Sequence, residues 1–296
     1  MKNISRRLGP IVVGGVGGSG TRVVAEILSK WGIYIGSDLN SASDNLLFTL
    51  LFKRPKWYSK NVWRREELQK GISLFDKLMC RNGVPSAAEL LFLLRAIPPM
   101  MFRGHNSTFN TKGIWALKRV KNMLSPISRE YNNYLGWGWK EPNTHVYLEH
   151  LAAYYKDLRY VHTIRHGLDM AFSKNQQQLI NWGECYGIQR PRSESDEPSA
   201  SLKYWIKANT KVLDVGRQVG AERFLLLNFD QLCLSPEKEI AKLRAFLGVD
   251  VEEGAYESAL SLPKVPKSMG RRRQHDLTQF DQADLDLVSK FGFSVE

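Results

Sequence analysis

The sequence predicts an α/β fold, a mainly parallel central sheet with helices on both faces. Three observations lead there. Apolar runs of strand length at Pro10–Val13, Arg159–Arg165 and Arg223–Phe229 alternate with stretches of helical period. The first run ends in glycines and passes directly into a helix pattern, the order strand, glycine loop, helix. No Pro/Gly/Ser-rich linker or composition break divides the 296 residues, so 1–296 read as one domain, and 43% hydrophobic content suffices for a sizeable core.

Element by element, Pro10–Val13 is a buried strand and Arg22–Trp31 the helix that follows its loop. Gly32–Gly36 reads as a second short strand. A helical insertion spans about 46–135, with breaks at Pro55, Gly83-Val84-Pro85 and Pro98-Pro99, and its place suggests that it shapes an acceptor site. The α/β pattern resumes at Gly138–Pro142, followed by a helix over Thr144–Tyr155, the strand Arg159–Arg165 and a helix from Leu168. Gly183–Ser199 is polar and reads as a mobile loop. Leu202–Val219 is amphipathic, Arg223–Phe229 a strand, and Pro236–Leu247 a helix closed by Gly248.

Net charge is +12, from 42 Lys+Arg against 30 Asp+Glu, so the favoured partners are anionic. Nucleic acid is not expected, because no nucleic-acid module or concentrated basic tail is present. Cys80, Cys185 and Cys233 have no metal-ligand spacing and an odd count, which points to a reducing cytoplasm and no metal. The basic start Met1–Arg7 lacks a signal-peptide pattern behind it, and no apolar stretch is long enough to span a membrane.

Chemistry concentrates at two places. The loop Gly14-Gly15-Val16-Gly17-Gly18-Ser19-Gly20-Thr21-Arg22 can bend tightly and bring N–H groups onto an anion, with Ser19, Thr21 and Arg22 as further donors. It is not a Walker A loop, since Gly-Lys-Ser/Thr is absent, which disfavours a P-loop kinase. It also satisfies Gly15-x-Gly17-x-x-Gly20, the dinucleotide fingerprint, with Asp38 placed where a ribose-binding acid is expected. The second place is Arg165 through Ser173. A strand-end Arg with a Ser eight positions on, one turn into the next helix, can converge on a separate phosphate.

Together these segments resemble the sulfotransferases that use 3′-phosphoadenosine 5′-phosphosulfate (PAPS). Gly18-Ser19-Gly20-Thr21-Arg22 is similar to that family's x-S-G-T-x loop for the 5′-phosphosulfate. Arg165–Ser173 is similar to its R-D-x-x-D/A-x-x-x-S segment for the 3′-phosphate. Lys140-Glu141-Pro142 before Val146-Tyr147-Leu148 resembles K-D-P…V-Y-L of tyrosylprotein and related sulfotransferases. Phe229-Asp230-Gln231-Leu232…Ser235-Pro236…Phe246-Leu247-Gly248 resembles Y-E-D-L…D-P…F-L-G. Ser268-Met269-Gly270-Arg271-Arg272-Arg273 is similar to the basic segment that closes over the nucleotide. The resemblance leaves out about 40–135 and 183–200. It implies a P-loop-like sulfotransferase fold and transfer of a sulfuryl group from PAPS to a hydroxyl or amine acceptor.

Two departures stand out: Gly18 where the family usually has Lys or Arg before the loop Ser, and His166 where Asp is common. The first keeps a catalytically impaired nucleotide-binding protein in play beside the dinucleotide reading. On the resemblance, Gly17 to Arg22, Arg165, Ser173 and Arg271, Arg272 and Arg273 hold the donor, and Lys140 neutralises charge at the transferring group. Asp38 is the expected base, near where tyrosylprotein-type enzymes place a catalytic Glu. Asp44, Glu141, His105 and His145 are alternatives by residue type. Trp57, Trp63, Phe102 and Trp115 are candidates for an aromatic acceptor surface, and the Lys/Arg excess of the insertion hints at an anionic glycan, peptide or small molecule.

Overall fold

A computed structural model describes residues 8–103, 112–124 and 133–295. The strands are β1 (Leu8–Gly15), β2 (Ile33–Tyr34), β3 (Gly136–Lys140), β4 (Arg159–Ile164) and β5 (Phe224–Asn228). They form one parallel sheet in the order β2-β3-β1-β4-β5. Parallel strands buried on both faces read as continuous apolar runs, and β1 is buried from Pro10 to Gly15. Its side chains alternate between two cores. Ile11 and Val13 pack with Val24, Ile27 and Leu28 of α1 (Thr21–Lys30). Val12 joins Trp139, Tyr160 and the aromatic insertion residues on the other face.

Between β2 and β3 run α2 (Leu46–Phe52), α3 (Pro55–Asn61), α4 (Arg65–Cys80), α5 (Ala87–Arg103) and α6 (Lys112–Leu124). The expected break at Pro98-Pro99 does not occur, because both prolines lie inside α5. Each lacks an N–H and frees the carbonyl four residues earlier. Here those carbonyls belong to Leu94 and Arg95, exposed residues on the solvent side of the helix.

After β3 come a 3₁₀ segment at Pro142–Tyr147 and α7 (Leu148–Tyr154), where one helix was expected. Beyond β4 are α8 (Gly167–Ala171), α9 (Gln177–Trp182) and α10 (Glu197–Val219), with short 3₁₀ turns at Gly183–Tyr186 and Glu194–Asp196 in the segment read as a loop. α11 (Phe229–Leu234), α12 (Pro236–Leu247), α13 (Glu253–Leu260) and α14 (Gln282–Lys290) complete the chain. Gly248 caps α12 with φ +57°, the left-handed conformation a glycine tolerates. No helix among the described residues is long and apolar enough to cross a membrane.

The strand order positions the site. β1 lies between β3 and β4, with Val13 opposite Lys140 and Gly15 opposite Thr163. The glycine loop, Lys140-Glu141 and Arg165 therefore leave three adjacent strands at one carboxyl edge, where open α/β sheets bind ligands.

Candidate functional site

The edge opens into a cleft of about 550 Å³. Its floor is the glycine loop. Ser19 N–H donates to the Val16 carbonyl at 3.1 Å and closes the turn. The Ser19 hydroxyl is buried, donating to the same carbonyl at 2.6 Å and lying 3.2 Å from the Thr163 hydroxyl. Its side chain thus ties loop to sheet. Gly18 and Gly20 have φ of +89° and +81°. A Cβ on Gly20 would stand 1.9 Å from the Phe229 ring, and one on Gly18 3.1 Å from Met170 Cε. The left-handed backbone at Gly18 disfavours any side chain there, and Met170 Cε would have to give by a few tenths of an ångström.

Gly20 is also the N-cap of α1 and supplies no side-chain cap. The first-turn N–H groups and the helix dipole favour an anion at that end. Gly17, Gly18, Gly20, Thr21 and Arg22 line the cleft beside it. The Arg22 side chain is 60% exposed, its Nε 3.6 Å from Glu26 Oε1. Gly17 N–H donates to Gln178 Oε1 at 2.7 Å, so a carboxamide from α9 engages the loop.

The second wall is the end of β3. The Lys140 ammonium is buried and donates to Asp44 Oδ1 at 2.5 Å and to the Ala42 carbonyl at 2.9 Å. Asn40 Nδ2 holds the other Asp44 oxygen at 2.8 Å. Glu141 is 1% exposed and lines the cleft. Its Oε1 accepts from Asn143 Nδ2 at 2.7 Å, whereas Oε2 finds no hydrogen-bond partner among the described residues. Burial first, then the Asp44 carboxylate, push its pKa up to about 7 against the pull of Lys53, Asn143 and Lys140.

The third wall follows β4, where Arg165 lines the cleft; Ser173 and Arg271 to Arg273 are not among its lining residues. Arg165 donates from Nη1 to the Gly18 carbonyl at 3.4 Å and from Nη2 to Ser268 Oγ at 3.0 Å, with Nε 3.9 Å from Asp230 Oδ1. One guanidinium thus links the glycine loop to the C-terminal segment. Burial lowers its pKa and the Asp230 and Asp169 carboxylates raise it. Ser173 lies two residues beyond the end of α8 instead of inside a helix, and its Oγ accepts from Asn175 N–H at 3.2 Å. Arg271 Nη1 donates to the Phe172 carbonyl, next to Ser173, at 3.0 Å. Arg272 is buried with its guanidinium 3.7 Å from Asp169, and Arg273 is exposed.

Asp38 is placed elsewhere. It lines a separate small cavity, its Oδ2 3.0 Å from Arg119 Nε and its Oδ1 accepting from Asn122 Nδ2 at 2.9 Å. The carboxylates lining the cleft are Asp44 and Glu141. His145 is buried, with Nδ1 2.8 Å from the Pro142 carbonyl; His105 lies outside the described residues. Of the insertion's named aromatics, Trp57 packs edge-on against Phe92 and under Arg54, while Trp63 is 90% exposed. Trp115 sits under Arg119, and the side chain of Phe102 lies outside the described residues. Among the described Lys and Arg residues of the insertion, Lys53 lines the cleft.

Sequence reasoning missed Gln178, whose loop contact has no local signature. It also assigned no role to Asp169, although this residue fills the D/A position of the segment ending at Ser173.

Residues 10–253 match the sulfotransferase family. Among curated proteins no relative matches the sequence. Solved structures similar to the chain include the sulfotransferase domain of the Synechococcus PCC 7002 olefin synthase, at 17% identity, 98% of this chain, 97% of that one and TM-score 0.47. The sulfotransferase domain of the curacin biosynthetic pathway matches at 14% identity, 98% and 100% coverage and TM-score 0.47. The sulfotransferase STF1 of Mycobacterium tuberculosis H37Rv follows at 13%, 85% and 70%, with TM-score 0.44.

Proposed function

The chain belongs to the sulfotransferase family, and we propose that as a single catalytic domain it transfers the sulfuryl group of PAPS to an acceptor hydroxyl, releasing 3′-phosphoadenosine 5′-phosphate (PAP). The observation that carries this reading is the meeting of an anion-favouring loop and helix end with Arg165 in one cleft, beside a buried ammonium and a partnerless carboxyl oxygen.

The residues fit such a donor. The loop and the first turn of α1, with Thr21 and Arg22, receive the 5′-phosphosulfate. Arg165, Ser173 and Arg271 receive the 3′-phosphate, while Ser19 braces the loop from below and Arg272 braces the C-terminal segment. PAPS supplies an activated sulfuryl group on a good leaving group, so the protein's task is positioning and charge stabilisation.

Lys140, its direction fixed by Asp44 and the Ala42 carbonyl, places positive charge at the cleft where the equatorial oxygens gain negative charge. The acceptor oxygen attacks sulfur as the bond to the leaving phosphate oxygen breaks, and the acceptor proton passes to the Glu141 carboxylate. A carboxyl near pKa 7 combines a useful ionised fraction with real basicity at neutral pH. The role of base thus passes from Asp38 to Glu141.

The test is transfer of labelled sulfate from PAPS to a panel of hydroxyl acceptors spanning glycans, peptides and small phenols. Labelled product from at least one acceptor, with PAP formed in equal amount, is the expected result. Tight PAP binding with no product and no PAPS consumption would identify a binding protein in place of a transferase.

A further inference from the structure

The C-terminal basic segment is fastened to the protein by one carboxylate. Asp169 sits in the middle of α8 and is 2% exposed. Its Oδ2 accepts the N–H of Gly270 at 2.7 Å, and its Oδ1 accepts the N–H of Arg272 at 3.0 Å. Gly270 has φ +76° and caps the 3₁₀ turn Arg271–Gln274. A left-handed residue ahead of a helical turn points its N–H groups into a common concavity, a nest that binds an anion. Here the anion is a side chain of the same protein. The Arg272 guanidinium, 3.7 Å away, compensates the buried charge further.

The fastening fixes what lies on either side of it. Upstream, Ser268 Oγ accepts from Arg165. Downstream, His275 stacks on Phe172 with ring centroids 3.9 Å apart. Between them Arg271 is directed to the Phe172 carbonyl, and its charge is near enough to Arg165 to act on that guanidinium. An isolated basic loop of this composition would repel Arg165 and lose conformational freedom on ordering. The two charge-assisted hydrogen bonds to Asp169 offset both costs.

Resting on the sulfotransferase reading, we propose that Asp169 is a positioning residue: it anchors segment 268–275 on α8 and so sets Arg271 beside Arg165 as the second cation of the 3′-phosphate site. Asp169 acts on the nucleotide only through Arg271. Asp169→Asn keeps the shape of the side chain but turns one acceptor oxygen into a donor facing a backbone N–H.

The experiment is a double-mutant cycle on PAP affinity, measured by calorimetry for the wild type, Asp169→Asn, Arg271→Ala and the double variant. Each single change is expected to weaken PAP by about 10- to 100-fold, the range for losing charge-assisted contacts. The double variant is expected to be no weaker than Arg271→Ala by more than about threefold. Additive losses would overturn the proposal, because they would mean that Asp169 supports the site without Arg271. The KM for PAPS should rise with the PAP Kd while kcat changes by less than about threefold.

Hydrogen exchange of the free proteins reads the anchor without any nucleotide. Asp169→Asn is expected to deprotect 268–275 and spare β1 and β4; unchanged protection there refutes the anchor even if the cycle is non-additive. Deprotection of 268–275 in Asp169→Asn, together with a wild type that does not bind PAP, would keep the anchor and remove the functional reading instead. If Asp169→Asn does not fold, Gly270→Ala replaces it. A Cβ there meets only Arg273 Nη1 at 3.8 Å, so its effect is confined to the left-handed backbone of the nest. It should weaken PAP about tenfold and be equally non-additive with Arg271→Ala.

Discussion

Replacing Glu141 by Gln should separate catalysis from stability in opposite directions. In the native protein burial raises the Glu141 pKa from 4.5 to about 7. A carboxyl whose folded pKa lies above its unfolded value carries no ionisation penalty below pH 4.5, and the penalty is complete above pH 7. A shift of that size corresponds to about 3 kcal/mol at pH 8, at about 1.4 kcal/mol per unit. Gln keeps the Oε1 contact to Asn143 and removes the buried charge. It places an amide N–H₂ where Oε2 has no partner, which costs about 1–2 kcal/mol. The balance is a gain of about 1 kcal/mol, a rise in Tm of about 2 °C for a chain of this size. At pH 5, where the wild-type carboxyl is mostly protonated, the gain should vanish and the amide cost remain. Turnover should fall by about 10²–10⁴, the usual contribution of a general base. Thermal unfolding at pH 5 and pH 8, with labelled-sulfate transfer on the same samples, measures all three. A variant equally destabilised at both pH values, or one with wild-type turnover, refutes the reasoning.

The remaining predictions concern the same cleft. Wild-type kcat/KM should rise with pH to a limb near 7, because the base acts in its ionised form; a limb near 4.5 would deny Glu141 its perturbed pKa. Asp38→Asn should lower stability by about 2–3 kcal/mol, since it strips the counter-charge from buried Arg119, yet retain turnover per folded molecule. Lost turnover with intact stability in that variant would return the base to Asp38. Gly18→Lys restores the residue type common in the resembling enzymes but should cost about 1–2 kcal/mol and raise no rate, because φ there is +89° and Met170 Cε lies 3.1 Å from the new Cβ. A faster, equally stable variant in the transfer assay would show that the loop lacks only its cation.

The fold was legible in this sequence where backbone chemistry punctuates it. Glycines end β1, Pro236 and Gly248 bracket α12, and apolar runs mark strands buried on both faces. The prolines of α5 misled because their cost depends on whether the freed carbonyls reach water, which only burial reveals. In the site, order along the chain located the loop, Lys140 and Arg165, since each ends a strand and the three strands are neighbours. Side-chain direction was not legible. Ser19 turns into the sheet because Thr163 offers it a partner across β1 and β4, and Asp38 turns away because Arg119, over 80 residues later, claims it. Sequence spacing carries no information on such distant partners. Glu141 reads only as one of several alternative bases by residue type; its burial and the Asp44 carboxylate that raises its pKa come from the folded chain.

The central claim is a site for a nucleotide with phosphate groups at two places, and calorimetric binding of PAP beside adenosine 5′-monophosphate and NAD tests it most directly. PAP should bind at least about 30-fold more tightly than the monophosphate, which lacks the 3′-phosphate. Arg165→Ala should remove most of that advantage while leaving monophosphate affinity nearly unchanged, as loss of a charge-assisted phosphate contact requires. Equal affinity for PAP and the monophosphate, or binding of NAD with no response to PAP, would contradict the account.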